Sequence, residues 1–77
     1  METNPPRFVV CLNADGHPLD LTLHKIYRTI PDDRAHHVSC YRIIDDTDED
    51  YLYPIHRFAP IELPVTLQTS LERTTAP

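Results

Sequence analysis

Asp45-Asp-Thr-Asp-Glu-Asp50 crowds five carboxylates into six residues, the densest concentration of chemistry in the chain. Asp46, Asp48 and Asp50 alternate as the first oxygen ligands of a calcium loop do. Such a loop then needs glycine at its sixth place and glutamate at its twelfth, where this chain has Tyr51 and Arg57. The register fails. The run reads instead as a solvated hairpin tip whose charge keeps strand edges from aggregating. It also reads as a docking patch for a basic partner: an exposed pair is worth only ~0–1 kcal/mol, but clustered charge raises encounter rates.

Histidines 17, 24, 36, 37 and 56 with Cys11 and Cys40 contain the atom types of a zinc site. No two cysteines and no two histidines stand two to four residues apart, and on an extended chain the adjacent His36 and His37 face opposite ways. They read as loop histidines in water. Ser39-Cys40 beside His36-His37 offers a thiol near an imidazole, yet such a pair is more often an edge thiol next to a loop. The single glycine, Gly16, excludes a glycine-rich phosphate cradle. No catalytic residue, metal or cofactor is expected.

The tyrosines at 27, 41, 51 and 53, with Phe8 and Phe58, are core and rim residues by default. Tyr51 and Tyr53 share one strand face and Leu52 takes the other; a tyrosine face in solvent would make a contact surface. Asp48, Glu49, Tyr51, Tyr53 and Arg57 are accordingly the expected partner-binding residues.

The elements that position them must come from 77 residues, enough for one domain that buries only about 60% of its unfolded surface. Twelve acidic against seven basic residues give a formal charge of -5, which opposes phosphate backbones and anionic lipid and favours basic partners. The polar start, Met1-Glu-Thr-Asn-Pro-Pro6, has no signal-peptide character, and no apolar run reaches membrane-spanning length. A cytoplasmic protein with reduced, strand-borne Cys11 and Cys40 is expected.

Residues 1–6 read as a loose arm. Arg7-Phe-Val-Val-Cys-Leu-Asn13 is a β-forming run ended by the turn signal Asp15-Gly16. From His17 to Ile30 the apolar residues begin with period two; a helix over 20–29 is weighed, but Thr22, Ile26, Tyr27 and Thr29 lower its propensity, and a turn followed by a strand is preferred. Pro31–His37 reads as a surface loop. Ser39–Asp45 and Asp50–Tyr53 form a hairpin, and Pro54 stops its ladder before one turn of 3₁₀ helix at Ile55–Phe58. Ala59–Leu63 is a last short strand, and the Thr-rich stretch 64–77 reads as a mobile tail. This order predicts an all-β fold, a small closed or half-open barrel of about five short antiparallel strands over residues 7–63.

Read end to end, residues 7–62 resemble an SH3 domain. Arg7-Phe-Val-Val-Cys-Leu12 stands where its first strand opens, and Asp20-Leu-Thr-Leu-His-Lys-Ile-Tyr27 resembles the diverging-turn segment. Cys40-Tyr-Arg-Ile43 falls at the Trp-Trp-Leu-Ala strand, and Tyr51-Leu-Tyr-Pro-Ile-His-Arg-Phe-Ala-Pro60 resembles the Gly-Tyr-Ile-Pro-Ser-Asn-Tyr-Val-Ala-Pro ending. The Asp50-Tyr-Leu-Tyr-Pro54 motif with Phe58 is also similar to short bacterial proteins. The resemblance implies a barrel more than a ligand. Polyproline II helices are gripped by stacked rings, and here Cys11, Leu12, Cys40 and Arg57 occupy ring positions, with Pro54 retained.

The expectation is a small non-catalytic interaction or regulatory module that binds a protein partner through an aromatic and acidic surface. The alternative is an acidic mimic of nucleic acid that inhibits a nucleic-acid-binding protein, since carboxylates imitate phosphate charge. Direct nucleic-acid binding would need a basic stripe that the chain lacks.

Overall fold

The β-branched run Phe8–Cys11 forms strand β1 and carries neighbours on both sides, which makes it the spine of the molecule. The computed structural model describes residues 6–74. The elements that follow β1 are β2 (Ile26–Ile30), helix α1 (Asp33–His37), β3 (Cys40–Ile44) and β4 (Asp50–Pro54). After them come a 3₁₀ turn (Ile55–Arg57), β5 (Phe58–Ile61) and helix α2 (Val65–Thr74). The five strands form one antiparallel sheet in the order β4-β3-β2-β1-β5.

β2 divides its pairing. Ile26, Tyr27 and Arg28 face β1, while Thr29 and Ile30 face β3, so the sheet passes from one half to the other along this strand. A closed barrel would require β4 and β5 to meet, and they are the two edges of an open sheet. Pro54 supplies the physical reason. It has no N–H to offer on the edge of β4 that faces away from β3, and the 3₁₀ turn that follows sends its Arg57 carbonyl to the Leu12 amide at 2.7 Å.

Val9, Cys11, Leu21, Tyr27, Ile43, Tyr53 and Phe58 make the core, with Ala14 and Tyr41 packed against it. Phe58 is the hub. It meets Tyr27, Tyr41 and Tyr53 edge-to-face at centroid distances of 6.4, 6.3 and 6.1 Å, the geometry that ring quadrupoles favour.

Two stretches differ from the sequence expectation. Pro31–His37 is not a plain loop: Asp32, in extended conformation, caps α1 by accepting the Arg34 amide at 2.9 Å and the Ala35 amide at 3.4 Å, and Ala35 is buried. The stretch from residue 64, expected as a mobile tail, forms α2 over Val65–Thr74. Pro64 stands just before the helix, and its carbonyl accepts the Gln68 amide at 3.0 Å. Glu72 on α2 pairs with Arg7 ahead of β1. The expected arm falls mostly on residues 1–5, outside the described residues; its last member, Pro6, accepts a hydrogen bond from the buried Thr29 hydroxyl.

Candidate docking site at the acidic hairpin

The β3–β4 hairpin closes through a three-residue loop. The Asp48 amide donates to the Asp45 carbonyl at 3.0 Å and the Asp45 amide to the Glu49 carbonyl at 3.0 Å. Asp48 holds φ +65°, so the loop is a turn followed by a left-handed residue and a bulge. Glycine is the usual occupant of that position. Asp is tolerated because its short side chain can bond locally.

The five carboxylates of this tip do different things. Asp45, expected in water, is 4% exposed. Its Oδ1 accepts the Thr47 amide at 2.9 Å and the Thr47 hydroxyl, and its Oδ2 accepts the Tyr53 hydroxyl at 2.7 Å. Burial pushes this carboxyl up, and the bonds from Thr47 and Tyr53 outweigh it, leaving the group below its ordinary range.

Asp46 has its backbone at the surface but a side chain only 19% exposed. It receives Lys25 Nζ at 2.6 Å, the Thr22 hydroxyl at 2.7 Å and the Tyr27 hydroxyl at 3.0 Å. Its amide donates to the Asp20 carbonyl at 2.8 Å, which fastens the tip to the turn before β2. Burial again raises this carboxyl, and the donors, Lys25 first, bring it net down. Asp50 shares Arg42 with Asp32: Arg42 Nη1 reaches Asp50 at 2.8 Å and Nε reaches Asp32 at 2.7 Å. Asp48 and Glu49 are exposed, and Glu49 accepts the Tyr51 hydroxyl at 2.7 Å.

Tyr51 and Tyr53 do not form one exposed face. Tyr53 is 4% exposed, held by Asp45 and by the edge of His17 at 5.2 Å, whereas Tyr51 is 51% exposed. The core covers the strand as far as Tyr53 and ends before Tyr51. Arg57 stands elsewhere: its Nη1 donates to the carbonyls of Asn13 at 3.1 Å and Asp15 at 2.9 Å, so it clamps the loop after β1.

Glu49, Tyr51 and part of Tyr53 instead share an open groove of about 460 Å³ with His17, Asp20, Thr47 and Leu52. Asp20 and Glu49 supply carboxylates, Tyr51 and Leu52 supply apolar surface, and no lysine or arginine lines it. His17 lies 3.3 Å from Asp20. His17, Asp20 and Leu52 were absent from the sequence expectation. His17 and Asp20 sit about thirty residues from β4 in the chain, and the bond from Asp46 to the Asp20 carbonyl, with the His17 ring against Tyr53, brings that turn to the hairpin.

Cys11 is a free thiol in the core, and Cys40 is a free, half-buried thiol on β3. Among the described residues no group of three or more His, Cys, Asp or Glu side chains is arranged to hold a metal ion. No helix among them is long and apolar enough to cross a membrane. Comparison with protein-family models, curated proteins and solved structures finds no match to the chain.

Proposed function

We propose that this chain is a small, non-catalytic, cytoplasmic interaction module with an SH3-like arrangement that docks a basic segment of a protein partner. Support for the arrangement is the strand order β4-β3-β2-β1-β5 together with the 3₁₀ turn between β4 and β5. The docking surface is the groove of Asp20, Glu49, Tyr51 and Leu52, with Asp48 at its rim. The expected surface is thereby narrowed, since Tyr53 is buried beneath the groove and Arg57, bonded to the Asn13 and Asp15 carbonyls, does not line it.

One observation carries the reading: two carboxylates and an exposed tyrosine line an open groove that no lysine or arginine of the chain enters. Desolvating a cation between carboxylates and an aromatic ring gives selectivity for basic side chains. The nucleic-acid-mimic alternative is weakened, because Asp45 and Asp46 are turned to internal partners and fewer charges are left to imitate a phosphate row.

Affinity capture with the full chain tests the proposal, using wild type beside the double variant Asp20→Lys and Glu49→Lys. Partners recovered by wild type and lost by the folded double variant are expected. An identical set of partners from both would end the reading.

A further inference from the structure

The β3–β4 ladder has a phase that can be read from its ends. Glu49 accepts the Asp45 amide and Ser39 accepts the Ile55 amide, each at 3.0 Å. Antiparallel pairs alternate between bonded and non-bonded. With 45/49 and 39/55 bonded, the pairs Ile43–Tyr51 and Tyr41–Tyr53 are bonded, while Ile44–Asp50 and Arg42–Leu52 are not. The main-chain N–H and C=O of Asp50 and Leu52 therefore point away from β3. β4 is an edge of the sheet, and no other described residue bonds to these groups.

We infer that this free edge accepts an extended segment of the partner as a sixth strand, paired through Asp50 and Leu52, with a lysine or arginine side chain of that segment in the Asp20–Glu49 groove. The inference rests on the docking proposal and supplies its geometry. Main-chain bonds at the edge give affinity, and the groove beside them reads alternate side chains.

Charge selects the occupant. A second copy of β4 laid parallel and in register along this edge would bring Asp48, Glu49 and Asp50 against their equivalents, where like charges repel, and in any register it would bring together two chains of formal charge -5. A basic segment gains from the same groups. The contact is short, because Pro54 offers no N–H beyond Leu52.

The test uses the full chain labelled with ¹⁵N and a blocked synthetic hexapeptide of alternating lysine and valine. Controls are its glutamate-for-lysine counterpart and a version N-methylated at alternate amides. Saturable shifts and slowed solvent exchange at the Asp50 and Leu52 amides are expected with the lysine peptide alone. N-methylation along the pairing edge should weaken binding by about tenfold or more. Leu52→Pro removes the outward N–H without breaking a bond to β3, and should have the same effect; the N-methylated peptide makes the same test without altering the protein.

Strand addition is overturned if the lysine peptide fails to bind. It is equally overturned if the peptide binds without protecting those amides, or if the N-methylated form binds as well as the parent. In all three cases the charge-reversal capture decides the docking proposal separately. Protection of the same amides that grows with protein concentration alone would assign the edge to a second copy and also overturn the inference.

Discussion

Tyr53 donates its hydroxyl to the buried Asp45 carboxylate at 2.7 Å, across the hairpin that joins their strands. The ring of Tyr53 belongs to the core and its hydroxyl to the turn, so one side chain ties the packing of the sheet to the geometry of its acidic tip. Tyr53→Phe keeps the contacts with Phe58 and His17 and leaves the carboxylate one donor short. The expected cost is about 1–3 kcal/mol, the range for a buried acceptor stripped of a partner. Urea unfolding of the two proteins measures it, and equal midpoints would show that the bond contributes nothing net.

The backbone at Asp48 allows a sharper contrast. At φ +65° a β-branched side chain crowds the chain, whereas glycine relieves the strain at some cost in unfolded-state entropy. Asp48→Val should lose about 1–3 kcal/mol, and Asp48→Gly should lie within about 1 kcal/mol of wild type. Thermal melts of the three proteins give the order. Asp48→Gly also removes a rim charge while preserving the turn, which makes it the clean variant for asking whether that charge aids capture.

Stability should decline at both ends of the pH scale, for opposite reasons. Asp45 and Asp46 are held below the ordinary carboxylate range by their donors, so their contribution is complete above an unfolded pKa of about 3.9 and disappears as pH falls through the lower folded values. Tyr53 is displaced upward by burial and by Asp45. Its contribution is complete below about pH 10 and is lost as pH rises toward the higher folded value. Denaturant melts across the range should show a plateau between these limbs. Asp45→Asn should shrink the acid limb, and an unchanged limb would assign acid unfolding to other groups.

The hairpin and the 3₁₀ turn are legible in the chain because local chemistry decides them: alternating Tyr and Ile at the strands, short acids at the turn, and Pro54 at the stop. α1 has a local signal too, since Asp32 is an N-cap ahead of an acidic first turn, but Pro31 made the stretch read as loop. α2 is harder to foresee. Val65 is 77% exposed and Leu67 41%, so no apolar stripe announces a buried face, and one tie to the domain is the pairing of Glu72 with Arg7, sixty-five residues away in the chain. Alternation correctly places Tyr51 and Tyr53 on one face, yet it says nothing of where along that face the core ends. The groove is less legible still. Its two acidic residues, Asp20 and Glu49, share one groove because long-range contacts, the Asp46 amide on the Asp20 carbonyl and His17 on Tyr53, join their segments, and such contacts leave no periodic trace.

Arg57 separates structural from docking roles. Its guanidinium holds the Asn13 and Asp15 carbonyls, and its own carbonyl accepts the Leu12 amide, so the 3₁₀ turn and the loop after β1 are joined through this residue. Arg57→Met keeps most of the stem and deletes the donors. It should cost about 1 kcal/mol and speed amide exchange in residues 12–16, because a loop that loses its clamp opens more often. Capture of partners by the folded variant should match wild type, since the groove of Asp20, Glu49 and Tyr51 does not include it. Loss of partners with unchanged stability would return Arg57 to the contact surface and move the docking site toward the 3₁₀ turn.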